Sequence, residues 1–218
     1  MSKIIVLMGA PGAGKGTQAR LLQGRLNLPQ VSTGDMFRAL KEAQTPLAAE
    51  VRALMEAGKL VPDDVTIRVV RERTARGDCR EGYILDGYPR TPAQAAMLET
   101  LAAEQHKKIQ AIEIEVPREL LAKRMVGRRN CPVCGEIYNL YFKPPKHDTV
   151  CDWHPETQLN HRSDDNPSTV QARLTTYEEQ TRPLLDYYMA KNVLHVVDGT
   201  REAEAIYKDI EKIVMNGK

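Results

Sequence analysis

The residues with the clearest chemical signal form a glycine-rich run near the start of the chain. Residues 4–8 are apolar, and Gly9-Ala10-Pro11-Gly12-Ala13-Gly14-Lys15-Gly16-Thr17 follows directly. Glycines allow a tight turn whose backbone N–H groups converge on an anion, and a helix that begins there directs its positive end toward the same anion. The spacing fits Gly-x-x-x-x-Gly-Lys, with the hydroxyl displaced by one residue from Gly16 to Thr17. The run therefore predicts a phosphate-binding loop between a strand and a helix.

A second candidate group lies in Tyr83-Ile84-Leu85-Asp86-Gly87-Tyr88-Pro89-Arg90, where an apolar strand ends in an acidic residue. A carboxylate at the carboxyl end of a strand beside a phosphate loop is placed to hold Mg²⁺ or its water shell, and Arg90 would face the same crevice. An ordinary Asp-Gly turn is the alternative for Asp86 alone.

The third group is a set of cysteines and a histidine. Cys131 and Cys134 are separated from Cys151 and His154 by sixteen residues. This spacing is typical of a structural zinc site, in which three thiolates and one imidazole complete a closed tetrahedral shell. The alternatives are a metal-free cluster, a Cys131–Cys134 disulfide, or a ligand set that uses Asp152, His147 or His161 instead. Trp153 is expected to pack within this region, and Cys79 to be a small buried residue without a ligand partner.

The elements that must position these groups follow from the apolar pattern. Apolar runs at 4–8, 83–85, 109–116 and 193–197 alternate with helical patterns, which predicts an α/β fold with a parallel sheet flanked by helices. Helices are predicted to begin at Thr45-Pro46, at Pro62-Asp63-Asp64, and at Thr91-Pro92-Ala93-Gln94, which has the pattern of a capping box. Segments 32–61 and 127–164 do not fit this alternation and are interpreted as insertions.

Composition excludes several classes of protein. The chain has 218 residues and a formal net charge of +2, so no global field favours nucleic acid, and no apolar stretch approaches a membrane span. Because residues 1–3 run straight into the first predicted strand, no signal peptide is expected, and four cysteines do not suggest a secreted disulfide scaffold. A cytoplasmic, monomeric protein without membrane or nucleic-acid partners is expected.

Three segments together resemble the adenylate kinases: the loop at 9–17, Ser32-Thr33-Gly34-Asp35-Met36-Phe37-Arg38, and Asp86-Gly87-Tyr88-Pro89-Arg90. The resemblance continues through Gly127-Arg128-Arg129, Arg162-Ser163-Asp164-Asp165, Arg173 and Asp198-Gly199-Thr200, and so covers essentially the whole chain. Tyr88 and Phe37 depart from the family, which more often has Phe and Leu there.

The resemblance implies three parts and one reaction. The parts are a P-loop core (1–31, 62–126 and 165–218), a small helical insertion that binds the nucleoside monophosphate (32–61), and a zinc-binding lid (127–164). The reaction is the Mg²⁺-dependent transfer of a phosphoryl group from ATP to AMP, giving two ADP.

The resemblance also implies site residues. Those that hold ATP are Gly12, Ala13, Gly14, Lys15, Gly16, Thr17, Arg128, Ile137, Tyr138 and Arg201. Those that hold AMP are Thr33, Arg38, Lys59, Leu60, Val61, Gly87, Tyr88, Pro89, Arg90, Gln94, Arg162 and Arg173. Those expected to act in catalysis are Lys15, Arg38, Arg90, Arg128, Arg162 and Arg173. Asp86 would hold Mg²⁺ through water, and Cys131, Cys134, Cys151 and His154 would hold a structural Zn²⁺.

The chemistry explains the many arginines. Phosphoryl transfer spreads negative charge over equatorial oxygens, and forked guanidinium groups bind such charge well. From the residues alone, Arg128 could be a solvated helix end, Arg173 a surface charge, and Gln94 only part of the capping box. Asp164 and Asp165 could cap the following helix, or, as the resemblance implies, pair with arginines when the lid closes over the substrates.

Four other functions remain as alternatives. A GTP:AMP kinase or a UMP/CMP kinase would share the loop, although the long lid argues against the latter. A regulatory GTPase should carry Asn-Lys-x-Asp, which the sequence lacks. A zinc-ribbon nucleic-acid-binding module is disfavoured by the near-neutral charge.

Overall fold

A computed structural model describes residues 2–40 and 43–216. Its strands are β1 (Lys3–Met8), β2 (Gln30–Ser32), β3 (Gly82–Asp86), β4 (Lys108–Glu115), β5 (Arg128–Asn130), β6 (Ile137–Asn139) and β7 (Leu194–Asp198). Five of them form a parallel sheet in the order β2-β3-β1-β4-β7. The predicted α/β class is confirmed. Strand β2 was not predicted, because three residues are too few to show an apolar period.

Helices connect these strands. They are α1 (Lys15–Leu26), α2 (Thr33–Leu40), α3 (Pro46–Glu56), α4 (Asp63–Thr74), α5 (Pro92–Glu104), α6 (Arg118–Val126), α7 (Pro167–Thr176), α8 (Pro183–Ala190) and α9 (Ala203–Asn216). A π-helical segment, Tyr177–Thr181, follows α7. Across residues 2–40 and 43–216, no helix has both the length and the apolar character needed to cross a membrane.

The three predicted helix starts are confirmed, with one difference at α5. The Thr91 hydroxyl accepts a hydrogen bond from the Gln94 backbone N–H at 3.1 Å, as a capping box requires. The Gln94 side chain does not return the bond to Thr91. Instead, the Gln94 Oε1 accepts a hydrogen bond from the Arg90 backbone N–H (2.8 Å), and the Gln94 Nε2 donates one to the Asp63 carboxylate (2.7 Å). The capping box is therefore half formed.

Apolar side chains cover both faces of the sheet, because successive strand residues point to opposite sides. On one face, Ile5, Leu7 and Ile112 pack with residues of α1, α6, α7 and α9. On the other face, Ile4, Val6 and Leu85 pack with residues of α4, α5 and α8. With both faces buried, the carboxyl edge of the strands is left for a site.

Two smaller clusters lie apart from the sheet. Phe37, Val51, Val61 and Val65 form one between α2, α3 and α4. Cys131, Tyr138 and Cys151 form the other beside the antiparallel β5–β6 hairpin. The second cluster lies within the segment 127–164, and the first joins the segment 32–61 to Val65 of α4.

The α2–α3 segment rests on α7 through a close backbone approach at Gly58. Gly58 has φ +70, and a Cβ there would lie 2.9 Å from the Ala172 Cβ, so a larger residue is excluded on both counts. The Thr169 hydroxyl donates to the Glu56 carbonyl (2.9 Å), and the Thr176 hydroxyl to that of Gly58 (3.1 Å). This contact brings Arg173 of α7 to the same side as the α2–α3 segment.

Candidate active site and metal centre

The predicted phosphate loop lies at the carboxyl end of central strand β1. Gly14 precedes α1 with φ +105, a conformation that only glycine adopts readily. The Lys15 Nζ reaches back across the loop and donates to the carbonyls of Gly9 (2.7 Å) and Ala10 (3.0 Å). Burial lowers the pKa of Lys15 to about 7, and the Asp86 carboxylate opposes that shift. The ammonium is thus held inside a loop whose own carbonyls are its partners.

Asp86 ends β3, the neighbour of β1, and lies against this loop. Its Oδ2 accepts a hydrogen bond from Gln30 (3.0 Å) and is 3.5 Å from the position that a Cβ would take on Gly16. Carboxylate oxygens are preferred ligands of Mg²⁺, directly or through water. The residues present therefore fit a magnesium ion beside the loop. The Asp-Gly turn is also real, since Gly87 has φ +83.

A cleft that opens to solvent, here called the acceptor cavity, lies beyond the turn after β3. Nine of the twelve residues predicted to hold AMP line it. They are Thr33, Arg38, Lys59, Leu60, Val61, Gly87, Arg90, Gln94 and Arg173. The analysis missed six lining residues: Gly34, Phe37, Met55, Gly58, Thr66 and Asp164. Phe37 lies inside a segment already singled out, but an apolar residue there shows no signal that separates a cavity wall from a core.

Three predicted acceptor residues do not line this cavity. The Tyr88 ring is buried in the core behind it, and its hydroxyl donates to the Gln94 carbonyl at 3.0 Å. The Tyr88 ring thus packs into the core, which leaves the Tyr88 backbone for a ligand, and its place among the acceptor residues stays a prediction. Pro89 follows a cis peptide bond in the same turn. Arg162 lies outside the lining, 3.8 Å from the Asp35 carboxylate.

Arginine side chains concentrate positive charge between the loop and the cavity. The Arg90 Nε donates to the Gly87 carbonyl at 2.9 Å. Burial and the nearby Arg173 lower the pKa of Arg90 to about 10. Burial and Arg128 lower the pKa of Arg162 to about 9. All remain protonated at pH 7, so this group of like charges is arranged for an anion, whose binding would relieve their repulsion.

Two buried carboxylates hold the arginines of the lid side. Asp165 accepts two hydrogen bonds from Arg128 (2.6 and 2.7 Å) and one from Arg173 (3.0 Å). Asp164 accepts from Arg173 at 2.9 Å. Although burial opposes the shift, Arg173 and neighbouring arginines hold the pKa of Asp164 below its usual range.

These contacts decide between the open interpretations. The side chains of Arg128 and Arg173 are only 17% and 16% exposed, so neither is a solvated surface charge. Asn166 caps α7, since its side chain accepts from the Thr169 backbone N–H at 3.0 Å. The interpretation of Asp164 and Asp165 as helix caps is wrong, because both carboxylates pair with arginines.

Three further residues predicted to hold ATP have different surroundings. The Ile137 Cδ1 is 3.6 Å from the position of a Cβ on Gly16, so Ile137 lies beside the loop. The Tyr138 ring is buried in the cysteine cluster, which leaves only its backbone for a nucleotide. Arg201 is 41% exposed and pairs with Asp209 and Asp198, away from the buried arginines.

The predicted metal ligands come together. One ligand atom from each of Cys131, Cys134, Cys151 and His154 lies within 4.8 Å of the other three. The Cys134 and Cys151 Sγ atoms are 3.7 Å apart, and the His154 Nδ1 is 3.7 Å from Cys151 and 3.9 Å from Cys131. A tetrahedron with Zn–S bonds of about 2.3 Å has edges of roughly 3.8 Å. The cluster therefore fits Zn²⁺.

Its surroundings support a metal site over the alternatives. The three cysteines of the cluster form no disulfide bond, so the alternative of a Cys131–Cys134 disulfide is wrong. The Asp152 carboxylate accepts from the Lys146 backbone N–H and is not in the cluster, and neither are His147 and His161. The Tyr138 hydroxyl lies 3.5 Å from the Cys151 Sγ. Although burial opposes it, hydrogen bonds from Tyr138 and His154 lower the pKa of the Cys151 thiol to about 6, which favours the thiolate that a metal binds.

Trp153 and Cys79 test the remaining expectations for this region. Trp153 is 74% exposed, so the expectation that it packs within the lid is wrong. Its neighbour His154 contacts the Cys151 Sγ, and its neighbour Asp152 accepts a hydrogen bond from the Lys146 backbone N–H. Cys79 is buried before β3, as expected.

The phosphate loop lies at the carboxyl end of the central strand β1 of a parallel sheet, beside a cavity lined by arginines. This arrangement is typical of P-loop phosphotransferases. Residues 7–193 match the family model described as "Adenylate kinase". The chain belongs to the adenylate kinase family.

Curated relatives cover nearly all of the chain. An adenylate kinase of Clostridium perfringens (strain SM101 / Type A) is 46% identical over 215 residues, which are 98% of this chain and 99% of the relative. One of Bacillus subtilis (strain 168) is 46% identical over 96% of this chain and 97% of its own length. One of Archaeoglobus fulgidus is 44% identical with the same coverage.

Proposed function

We propose that the chain catalyses the reversible, Mg²⁺-dependent transfer of a phosphoryl group from ATP to AMP, giving two ADP. One observation carries the proposal: buried arginines join the phosphate loop to the acceptor cavity, so two phosphate groups can meet between them. Membership of the adenylate kinase family and the names of the relatives support it.

The donor phosphates are assigned to the loop at 12–17 and to Arg128. Ile137, the Tyr138 backbone and Arg201 would cover the rest of ATP. AMP is assigned to the acceptor cavity and to Arg162, with Pro89 and Tyr88 shaping its wall from behind.

The reaction then needs position and charge rather than a general base. The AMP phosphate is already an anionic nucleophile, so a side chain need not remove a proton from it. Lys15, Arg38, Arg90, Arg128, Arg162 and Arg173 would hold the two phosphates in line. Their donors stabilise the charge that spreads over the transferred group. Bound Mg²⁺, held by Asp86 through water, would neutralise charge on the ATP phosphates.

We also propose the division into parts: a core of 1–31, 62–126 and 165–218, a monophosphate-binding insertion of 32–61, and a lid of 127–164. The separate apolar cluster of the lid supports this division, as does the cluster of Phe37, Val51 and Val61, which reaches the core only at Val65 of α4. Residues 1, 41, 42, 217 and 218 of these ranges lie outside the described part of the chain. Closure of the lid would exclude water, which is the competing acceptor.

Zinc is proposed as a structural ion, because four protein ligands complete its shell and leave no position for substrate. We further propose a monomer that works in the cytoplasm without nucleic-acid or membrane partners. Free thiols around a metal suit a reducing compartment. Sedimentation across a range of concentrations tests the monomer.

A phosphotransfer assay with a panel of nucleotides tests the function. With MgATP as donor, turnover with AMP is expected to exceed turnover with GMP, UMP and CMP by a wide margin. Replacing ATP by GTP or UTP then tests the donor. Rapid turnover with UMP or CMP and little with AMP would contradict the acceptor assignment.

A further inference from the structure

Arg20 connects the core helix α1 to the metal-binding region. Its two terminal guanidinium nitrogens donate to backbone carbonyls there, Nη2 to Cys134 at 3.0 Å and Nη1 to Gly135. Nη2 also lies 3.4 Å from the Glu136 carboxylate. No motif in the sequence singles out Arg20. On α1, however, it is four residues beyond Gly16 and so lies on the same face as the phosphate loop.

The carbonyls that Arg20 binds belong to the turn that carries two metal ligands, residues 131–135, here called the ligand turn. The Gly135 N–H donates to the Cys131 carbonyl (2.9 Å), and the Cys131 N–H to the Glu136 carbonyl (2.9 Å). These bonds fix where both cysteines and the two carbonyls point. Coordination of a metal and docking of Arg20 therefore depend on the same few peptide units.

The chain that leaves the ligand turn runs back along α1 toward the phosphate loop. Ile137 approaches Gly16, with its Cδ1 3.6 Å from the Cβ position there. β6, which begins at Ile137, pairs with β5, and β5 begins with Arg128. A shift of the ligand turn would therefore move both a residue at the loop and an arginine assigned to the phosphates.

We propose that Arg20 is a positioning residue that couples the zinc site to the ATP site. Its forked guanidinium docks the ligand turn on the phosphate-loop helix, and this docked form is the one that binds ATP tightly. The ATP part of this proposal rests on the proposed function. Because coupling between two sites is reciprocal, bound ATP should raise the equilibrium affinity for zinc by the same factor by which zinc raises the affinity for ATP.

The test is the equilibrium affinity for zinc, measured by competition with a chromogenic chelator, with and without a non-hydrolysable ATP analogue. In the wild type the analogue is expected to raise the zinc affinity by about fivefold or more, the lower end of typical coupling between sites. In Arg20→Ala, the zinc affinity without nucleotide should be lower, and the analogue should have no effect on it. The KM for ATP should also rise, while the KM for AMP should not.

Two variants sharpen the result. Arg25→Ala is the matched control, because Arg25 lies on the same helix but pairs with Glu204, and it should behave as the wild type. Arg20→Lys keeps the charge that faces Glu136 but not the paired donors, so it should behave as Arg20→Ala. Full coupling in Arg20→Lys would overturn the role of the two carbonyl bonds.

Calorimetric titration of the analogue into the wild type separates the possible failures. If the analogue binds and the zinc affinity is unchanged, the coupling is wrong and the proposed function stands. If Arg20→Ala keeps the full effect of the analogue, Arg20 is not the coupling residue. If the analogue does not bind at all, both the coupling and the proposed function fail.

Discussion

At the scale of single residues, the proposed reaction depends on buried cations, two of which, Lys15 and Arg90, donate to backbone carbonyls. Arg90 is the clearest case, since it lines the acceptor cavity and its Nε donates to a backbone carbonyl rather than to a carboxylate. Because this guanidinium is already held in position, it needs little reorganisation to stabilise the negative charge that develops in the transition state.

Arg90→Ala is therefore expected to lower kcat by about 10²-fold or more, as removal of one preorganised donor does elsewhere. Arg90→Lys should recover only part of the loss, because it keeps the charge but not the fork. Steady-state kinetics with AMP as the varied substrate measures both variants. A normal kcat with only a raised KM would mean that Arg90 binds the ground state and the transition state equally.

Lys15 makes a second prediction at this scale. Burial lowers its pKa to about 7, so at pH 8 the free protein holds it mostly neutral. The phosphates of ATP favour the charged form and should raise that pKa, so binding at pH 8 should take up close to one proton. Calorimetric titration in two buffers with different ionisation enthalpies measures the uptake. Enthalpies that do not depend on the buffer would contradict it, and Lys15→Met should abolish the dependence.

The third residue-scale prediction concerns Asp165, which is fully buried between Arg128 and Arg173. Asp165→Asn leaves two buried guanidinium groups without their main counter-charge. The free energy of unfolding should fall by about 3–5 kcal/mol, the usual cost of breaking a buried pair on one side. Asp209→Asn is the matched control, since Asp209 pairs with the exposed Arg201, and no measurable change is expected. Denaturant unfolding of both variants provides the comparison, and equal losses would contradict the argument.

At the scale of elements, helix starts that depend on a few consecutive residues could be predicted from the sequence. Side-chain contacts between residues that are distant in the sequence could not. Thr45 and Thr91 each precede a proline, and both cap the helices expected of them. Gln94 shows where this reasoning stops. Four consecutive residues are enough to predict a capping box. The hydrogen bond from the Gln94 amide to Asp63 is made with another helix, α4, and four consecutive residues do not show it. Asp164 and Asp165 differ from helix caps for the same reason, since their arginine partners are eight to thirty-seven residues away.

The metal-binding element makes a prediction of its own. Protein purified without chelator should contain one zinc ion per chain, and chelation or His154→Ala should lower the Tm. Structural zinc in small peptides contributes roughly 10–16 kcal/mol, and the effect here should be smaller because the sheet provides a separate core. At saturating ATP, phosphotransfer should persist wherever the metal-free lid stays folded.

Cys79→Ala is the matched control for the zinc prediction, because Cys79 is buried outside the cluster and the variant should keep its zinc. Elemental analysis and thermal unfolding give the two readouts. Absence of stoichiometric metal, or an unchanged Tm in His154→Ala, would refute the site. Loss of activity on chelation at saturating ATP, with the fold intact, would contradict a purely structural role.

At the scale of the whole molecule, the sequence was most informative where one short motif carries both the backbone geometry and the chemistry. The loop at 9–17 and the two cysteine pairs are such motifs, and the structure places both where they were expected. Residues whose role depends on packing between distant elements were not accessible. Arg20, for example, is one of several charged residues in the sequence of α1. Only the folded structure shows that its guanidinium donates to the ligand turn. Trp153 was misjudged because the sequence does not show which side of the metal loop faces the protein.

The central claim is that two phosphate groups meet between the loop and the acceptor cavity and that one passes directly to the other. The measurement that tests it most directly is transfer from ATP labelled in the γ-phosphate to AMP, with products separated and counted. The account predicts that label appears in ADP at the β position, that two ADP form for each ATP consumed, and that ATP is stable without AMP. Label released as inorganic phosphate at the same rate with or without AMP would contradict it.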